Sequence, residues 1–260
     1  MTRTIASRKI LILAAVLFAA LLTLFQGAPA AKAQDVAAAV RAKLGKSQYK
    51  DVQVTVDANG IATLTGTVGL YEYKADADKT VHKVKGVTAV RNDIQVAGPS
   101  VSDSQLQKSL GEKLAYDRVG YGNVFDAITL QVQNGVVTLG GHAHDYPNRD
   151  SALGLVSTTP GVKDVIDEIS VDPVSPMDEG IRVEVARAIY SYPSLNRYAI
   201  DPEMPIRISV QNGNVALYGM VDSEADKDAA FIRANGVPGV FSVKNYLDVA
   251  NQPGEKQKNP

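Results

Sequence analysis

The chain has 260 residues, 45% of them hydrophobic, with no Cys, three His and a formal net charge of −1. The lack of Cys excludes a disulfide framework, a thiolate nucleophile and any Cys-ligated metal. A chain without a basic excess lacks the footprint of a nucleic-acid binder, so no nucleic-acid partner is expected.

Residues 1–33 read as a secretory signal peptide. Arg3, Arg8 and Lys9 precede an apolar run from Ile10 to Phe25, and the stretch closes on Ala31-Lys32-Ala33. A positive end, an apolar middle and a small-residue finish are the parts of such a signal, with cleavage expected after Ala33. The apolar run is short for a membrane span, and the expected destination is the periplasm or the exterior. Removing the segment takes away Arg3, Arg8, Lys9 and Lys32 and no acid, so the mature chain is acidic. Only residues 35–97 keep more basic than acidic groups; 103–172 and 174–250 are acid-rich.

Beyond the signal, one unit is used three times. Asn59-Gly60, Gly66 and Gly86-Val87 recur as Asn134-Gly135, Gly141 and Gly161-Val162, then as Asn212-Gly213, Gly219 and Gly239-Val240, at identical internal spacing. A fixed frame of this kind marks a repeated supersecondary unit. The expected domains are 34–97, 103–172 and 177–250. Ala97–Ser100 and Asp172–Pro176 serve as short, semi-rigid proline-bearing linkers, and 251–260 is a polar, disordered tail.

Each unit opens with a helix whose apolar face is Val36, Ala39, Val40 and Leu44; then Leu106, Leu110 and Leu114; then Ile181, Val185, Ala188 and Ile189. Two alternating strands follow, joined at Asn-Gly, the strongest short hairpin signal because both residues tolerate positive φ; the first copy has one extra turn residue. Gly66, Gly141 and Gly219 fall on the inward face of the second strand, where a missing side chain suits close approach of a helix backbone. A second helix is expected over about 71–85, 147–159 and 223–237. Ser223 and Asp226 form a capping box there, Pro147 suits a first turn, and Gly86, Gly161 and Gly239 end the helices in left-handed conformation. A third strand carries Asn92, Asp167 and Asn245 at apolar parity, expected as polar groups satisfied by loop backbone. The fold class is α+β: three tandem αββαβ two-layer modules, each with two helices on one face of a three-stranded mixed sheet.

These motifs carry a resemblance. Val54, Val56, Gly60, Leu64, Gly66, Val68, Lys74, Gly86, Val87, Val90, Asn92, Ile94 and Val96 resemble the pattern of the BON domain, named for bacterial osmotically inducible and nodulation-associated proteins. The second copy departs most, with His144-Asp145-Tyr146-Pro147 at its helix start and Asp167 for the Asn. The resemblance implies the αββαβ fold, an envelope location, a role in osmotic or envelope stress, and binding of anionic phospholipid. It implies no catalytic residue and no cofactor.

Lys74, Lys79, His82, Lys83 and Lys85 make the second helix of the first unit a candidate lipid-binding face, with Asp76 and Asp78 interleaved as a merely solvated face would have them. His142 and His144 have His-x-His spacing and Asp145 beside them, but no obvious third ligand, so they read as a surface pair and no metal is expected. Tyr190, Tyr192, Pro193, Tyr198, Pro202 and Pro205 form a loop suited either to presenting a partner surface or to covering the third unit's sheet edge. The chain reads as a non-enzymatic binder of anionic phospholipid membrane. The alternative is a periplasmic scaffold or chaperone-like protein whose partners are envelope proteins.

Overall fold

The computed structural model describes residues 27–118 and 123–250. Most of the expected signal peptide (1–26) and the tail at 251–260 therefore lie outside the described residues. The chain divides after Ala97 into two compact units, the first holding one module and the second holding two.

In the first unit, helix α1 (Gly27–Lys43) runs on through Ala33 and is followed by β1 (Val52–Val56), β2 (Ile61–Val68), α2 (Tyr71–His82), β3 (Ala89–Asn92) and β4 (Gln95–Val96). Strand β2 is central, antiparallel to β1 and parallel to β3 and β4. Alternation places Val54, Ala62, Leu64 and Val68 on one side, where they meet Val36, Val40 and Leu44 of α1 and Ala77 and Val81 of α2. Both helices share that one core, which makes the expected two-layer module. Each fully buried Val or Leu contributes about 1.5–3 kcal/mol. Ala39 is the exception to the expected face: it is exposed, and Ala37 is buried in its place.

The second unit repeats the plan twice. Its first module is α3 (Asp103–Tyr116), β5 (Ala127–Gln133), β6 (Val136–Ala143), α4 (Tyr146–Ser157), β7 (Asp164–Asp167) and β8 (Ser170–Val171). Its second is α5 (Pro176–Tyr190), β9 (Arg207–Gln211), β10 (Asn214–Val221), α6 (Glu224–Asn235) and β11 (Ser242–Val249). Strands β6 and β10 are the central ones.

The hairpins split into two kinds. Asn134-Gly135 and Asn212-Gly213 are two-residue turns with all four φ positive, at 55°, 78°, 51° and 74°. Their amides are held by a carboxylate from the preceding helix: Asp103 takes Asn134 N and Gly135 N, and Asp178 takes Asn212 N and Gly213 N. In the first module Asn59 does not share this conformation. Asp57 instead organises a longer loop, its Oδ1 accepting from Asn59 N and Ile61 N, and Gly60 alone is left-handed.

Gly66 is needed for a different neighbour from the one expected. Its φ is +104°, and a Cβ there would lie 2.0 Å from the Asp51 carbonyl oxygen. The close approach is made by backbone entering the adjacent strand, not by a helix; Gly141 meets Ala127 O and Gly219 meets Pro205 O in the same way.

The second helices stop earlier than expected. In the first module the buried Val84 draws the chain inward just past the C-cap Lys83. Gly86, Gly161 and Gly239 do have positive φ, but they close the turn beyond the helix rather than capping it. The third strand is also broken in the first two modules, between β3 and β4 and between β7 and β8, and is continuous only as β11.

The polar residue at the expected position in each third strand bonds to a helix rather than to a loop. Asn92 Nδ2 donates to Lys74 O, and Asn245 Nδ2 donates to Lys227 O. Asp167 has no such donor. Arg149, which occupies the helix position of Lys74 and Lys227, supplies one by pairing with the Asp167 carboxylate.

Candidate functional site

The candidate lipid-binding residues do not all come together. Lys79, His82, Lys83 and Lys85 are exposed around the C-terminal end of α2. Lys83 is the C-cap, and Lys85 lies in the turn that follows. Lys74 stands apart, half-buried in the first turn of α2. Among the described residues, Lys79, Lys83 and Lys85 make no ion pair. His82 Nε2 lies 3.5 Å from Asp78 Oδ2, one helical turn back, and an exposed pair of this kind adds little stability. Cations at a helix C-terminus also complement the helix dipole, so the cluster suits its own helix as well as an external anion.

The matching helices of the other modules hold their arginines in internal contacts. Arg149 pairs with Asp167 and Asp150. Arg233 donates from Nε to Ala188 O at 3.2 Å, and its guanidinium lies 5.3 Å from the Tyr192 ring centroid.

His142 and His144 are not a surface pair. Both are half-buried where the two modules of the second unit meet, and they face different carboxylates: His142 Nδ1 is 3.4 Å from Asp172 Oδ1, and His144 Nε2 is 3.5 Å from Glu179 Oε2. His144 Nδ1 is buried without a hydrogen-bond partner. Among the described residues no three His, Asp or Glu side chains gather as a metal site would require.

The supposed linker at Asp172 is the centre of that junction. Asp172 is 2% exposed. It accepts from Ser209 Oγ at 2.9 Å and Gln211 Nε2 at 2.9 Å, and pairs with the buried Arg182 at 3.4 Å. Arg182 also donates to Val210 O, and its guanidinium lies 6.0 Å from the Phe125 ring centroid. Nearby, Ile208 N donates to Val124 O at 2.7 Å. Sequence reasoning missed this junction because a proline follows Asp172, and Asp-Pro reads locally as a turn.

The Tyr/Pro stretch largely serves the fold. Tyr190 donates its hydroxyl to Ile206 O at 2.6 Å. Tyr198 is 3% exposed, and its hydroxyl donates to Asp226 Oδ2 and accepts from Asp222 N. Leu195 is fully buried in the same core. The loop is a cover over the third module, and Ser223 caps the helix beneath it by accepting from Asp226 N.

Comparisons with known proteins agree with the repeat. Residues 32–98, 102–173 and 178–251 each match the family model described as the BON domain. The osmotically-inducible protein Y of Escherichia coli (strain K12) is 31% identical over 121 residues, 46% of this chain and 60% of that protein. The chain thus spans less than two thirds of that relative's length. Two solved structures of CdsD, a structural protein of the type III secretion system of Chlamydia trachomatis, cover 81% of this chain, and 94% and 90% of their own, at 13% and 14% identity. Both have a TM-score of 0.25.

Proposed function

The chain belongs to the BON domain family, with three modules in tandem, and on that premise we propose that it is an exported, non-enzymatic envelope protein whose first module binds anionic phospholipid membrane. The observation that carries this reading is the set of unpaired, exposed lysines at the end of α2: Lys79, Lys83 and Lys85. Lysines that are not neutralised within the protein keep their charge for an external anion. Each contributes about 1 kcal/mol close to an anionic surface, and the attraction falls away within a Debye length. The other modules carry net negative charge and place Arg149 and Arg233 in internal contacts, which directs the membrane role to the first. Export is supported by the pattern of residues 1–33, and an osmotic-stress setting by the name of the E. coli relative. The polypeptide-binding alternative has less support, since Tyr190 and Tyr198 are committed to the module core.

Co-sedimentation tests the proposal. The protein is mixed with vesicles of phosphatidylcholine alone, or with phosphatidylglycerol added, at low and moderate salt. Pelleting is expected only with the anionic vesicles, weaker at higher salt, and lost in Lys79→Glu/Lys83→Glu. Absence of pelleting with either vesicle overturns it.

A further inference from the structure

Beside the Asp172 junction, the outer sheet faces of the second and third modules line a cleft of about 830 Å³. That volume lies in the range of small-molecule sites. On one wall, strand register sets Arg207, Tyr218 and Tyr246 side by side across β9, β10 and β11. The Tyr218 and Tyr246 rings stack 5.2 Å apart at 15°, and the His142 ring lies 6.0 Å from Tyr218. The facing wall presents Gln131, Thr138 and Ser170. Among the described residues, the side chains of Arg207, Gln131, Thr138 and Ser170 make no hydrogen bond or ion pair. Burial lowers the pKa of Arg207. Asp126 offsets that shift in part without bonding the guanidinium, whose N–H donors are open to acceptors on a ligand.

The composition of the walls selects the ligand. Arg207 and Lys227 are set against Glu168, Glu203 and Asp248, so there is no excess of cations to hold a phosphate or another anion. Amides, hydroxyls and carboxylates interrupt the apolar surface, which is unsuited to an acyl chain. A flat aromatic pair flanked by uncommitted planar and hydroxyl groups suits a sugar: the C–H face of a pyranose lies on the ring, and its hydroxyls exchange hydrogen bonds with the neighbours. We propose that the cleft binds an uncharged oligosaccharide, with sugar rings on Tyr218 and Tyr246 and hydroxyls on Arg207, Gln131, Thr138 and Ser170. This site is separate from the lysines of α2 and does not rest on lipid binding.

The test titrates the protein with tetrasaccharides of β-1,4-N-acetylglucosamine, β-1,4-glucose, α-1,4-glucose and β-1,4-xylose, followed by calorimetry and by tyrosine fluorescence, which no Trp masks. At least one of them binds. Tyr246→Ala weakens that binding about tenfold or more, equivalent to ~1.4 kcal/mol. Because Tyr246 is 42% exposed, this variant keeps its melting temperature. Arg207→Gln weakens binding as well, and Lys79→Glu/Lys83→Glu leaves it unchanged. The proposal is overturned if none of the four binds, if Tyr246→Ala binds as tightly as the parent, or if only acidic sugars bind.

Discussion

Burial alone would raise the pKa of Asp172, but hydrogen bonds from His142, Gln211 and Ser209 outweigh it and hold the carboxyl below its ordinary value. A lowered acid stabilises the fold fully above its unfolded pKa of about 4, and that contribution is lost as pH falls through the lower folded value. Asp126 behaves in the opposite sense. Burial pushes it up, against the bonds from His144 N and Arg118, so its contribution is complete at low pH and is lost as pH rises through the folded value. Melting temperatures measured across acidic pH should therefore show Asp172→Asn losing most of its deficit in acid, and Asp126→Asn removing a decline that sets in as pH rises above the ordinary carboxylate range. At neutral pH, Asp172→Ala strips Ser209 and Gln211 of their acceptor and leaves the buried Arg182 only Glu179 and Val210 O, and should cost about 1–3 kcal/mol. Gly66→Ala forces a side chain against Asp51 O at positive φ and should cost about 1–3 kcal/mol or more. Gly180→Ala, on an exposed turn of α5 with nothing within 4 Å of the new Cβ, should instead stabilise by about 0.5–1 kcal/mol. Chemical denaturation of the two variants checks both signs.

A helix that ends in lysines can serve its own dipole or an outside surface, and substitution separates these uses. Lys79→Gln/Lys83→Gln removes charge without adding acid. If the lysines act on membranes, this variant loses vesicle binding while its melting temperature barely moves; if they act only on α2, the melting temperature falls and binding does not change. The helices and hairpins that frame this site were legible in the sequence because each depends on local pattern: apolar spacing, Asn-Gly turns and a Ser cap. Features set by distant residues were less legible. That Asp103 and Asp178 hold the turns at Asn134 and Asn212 depends on pairings 31 and 34 residues apart. The end of α2 at His82 depends on Val84 finding the core. Asp167 departs from the Asn pattern of the other copies because Arg149 stands opposite it as the donor. The cleft at Tyr218 and Tyr246 could not be read from one strand, since it needs the register of three and the outer face of a second sheet.

At the scale of the molecule, three equal repeats do not make three equal folding units. The second and third modules share the Asp172 network and the Val124–Ile208 backbone bond, and they form one compact unit distinct from the first. Scanning calorimetry should show them melting together, with Asp172→Ala splitting that transition into two. Charge is divided along the same boundary: the first unit keeps free lysines, while the second is acidic and holds several of its arginines in internal pairs. The central claim is that membrane contact belongs to the first unit alone. Amide hydrogen exchange of the full chain, with and without anionic vesicles, tests it most directly. The account predicts new protection across residues 79–87 and none around Tyr218 and Tyr246. Protection confined to residues 98–250, or no change anywhere while the protein sediments with the vesicles, would contradict it.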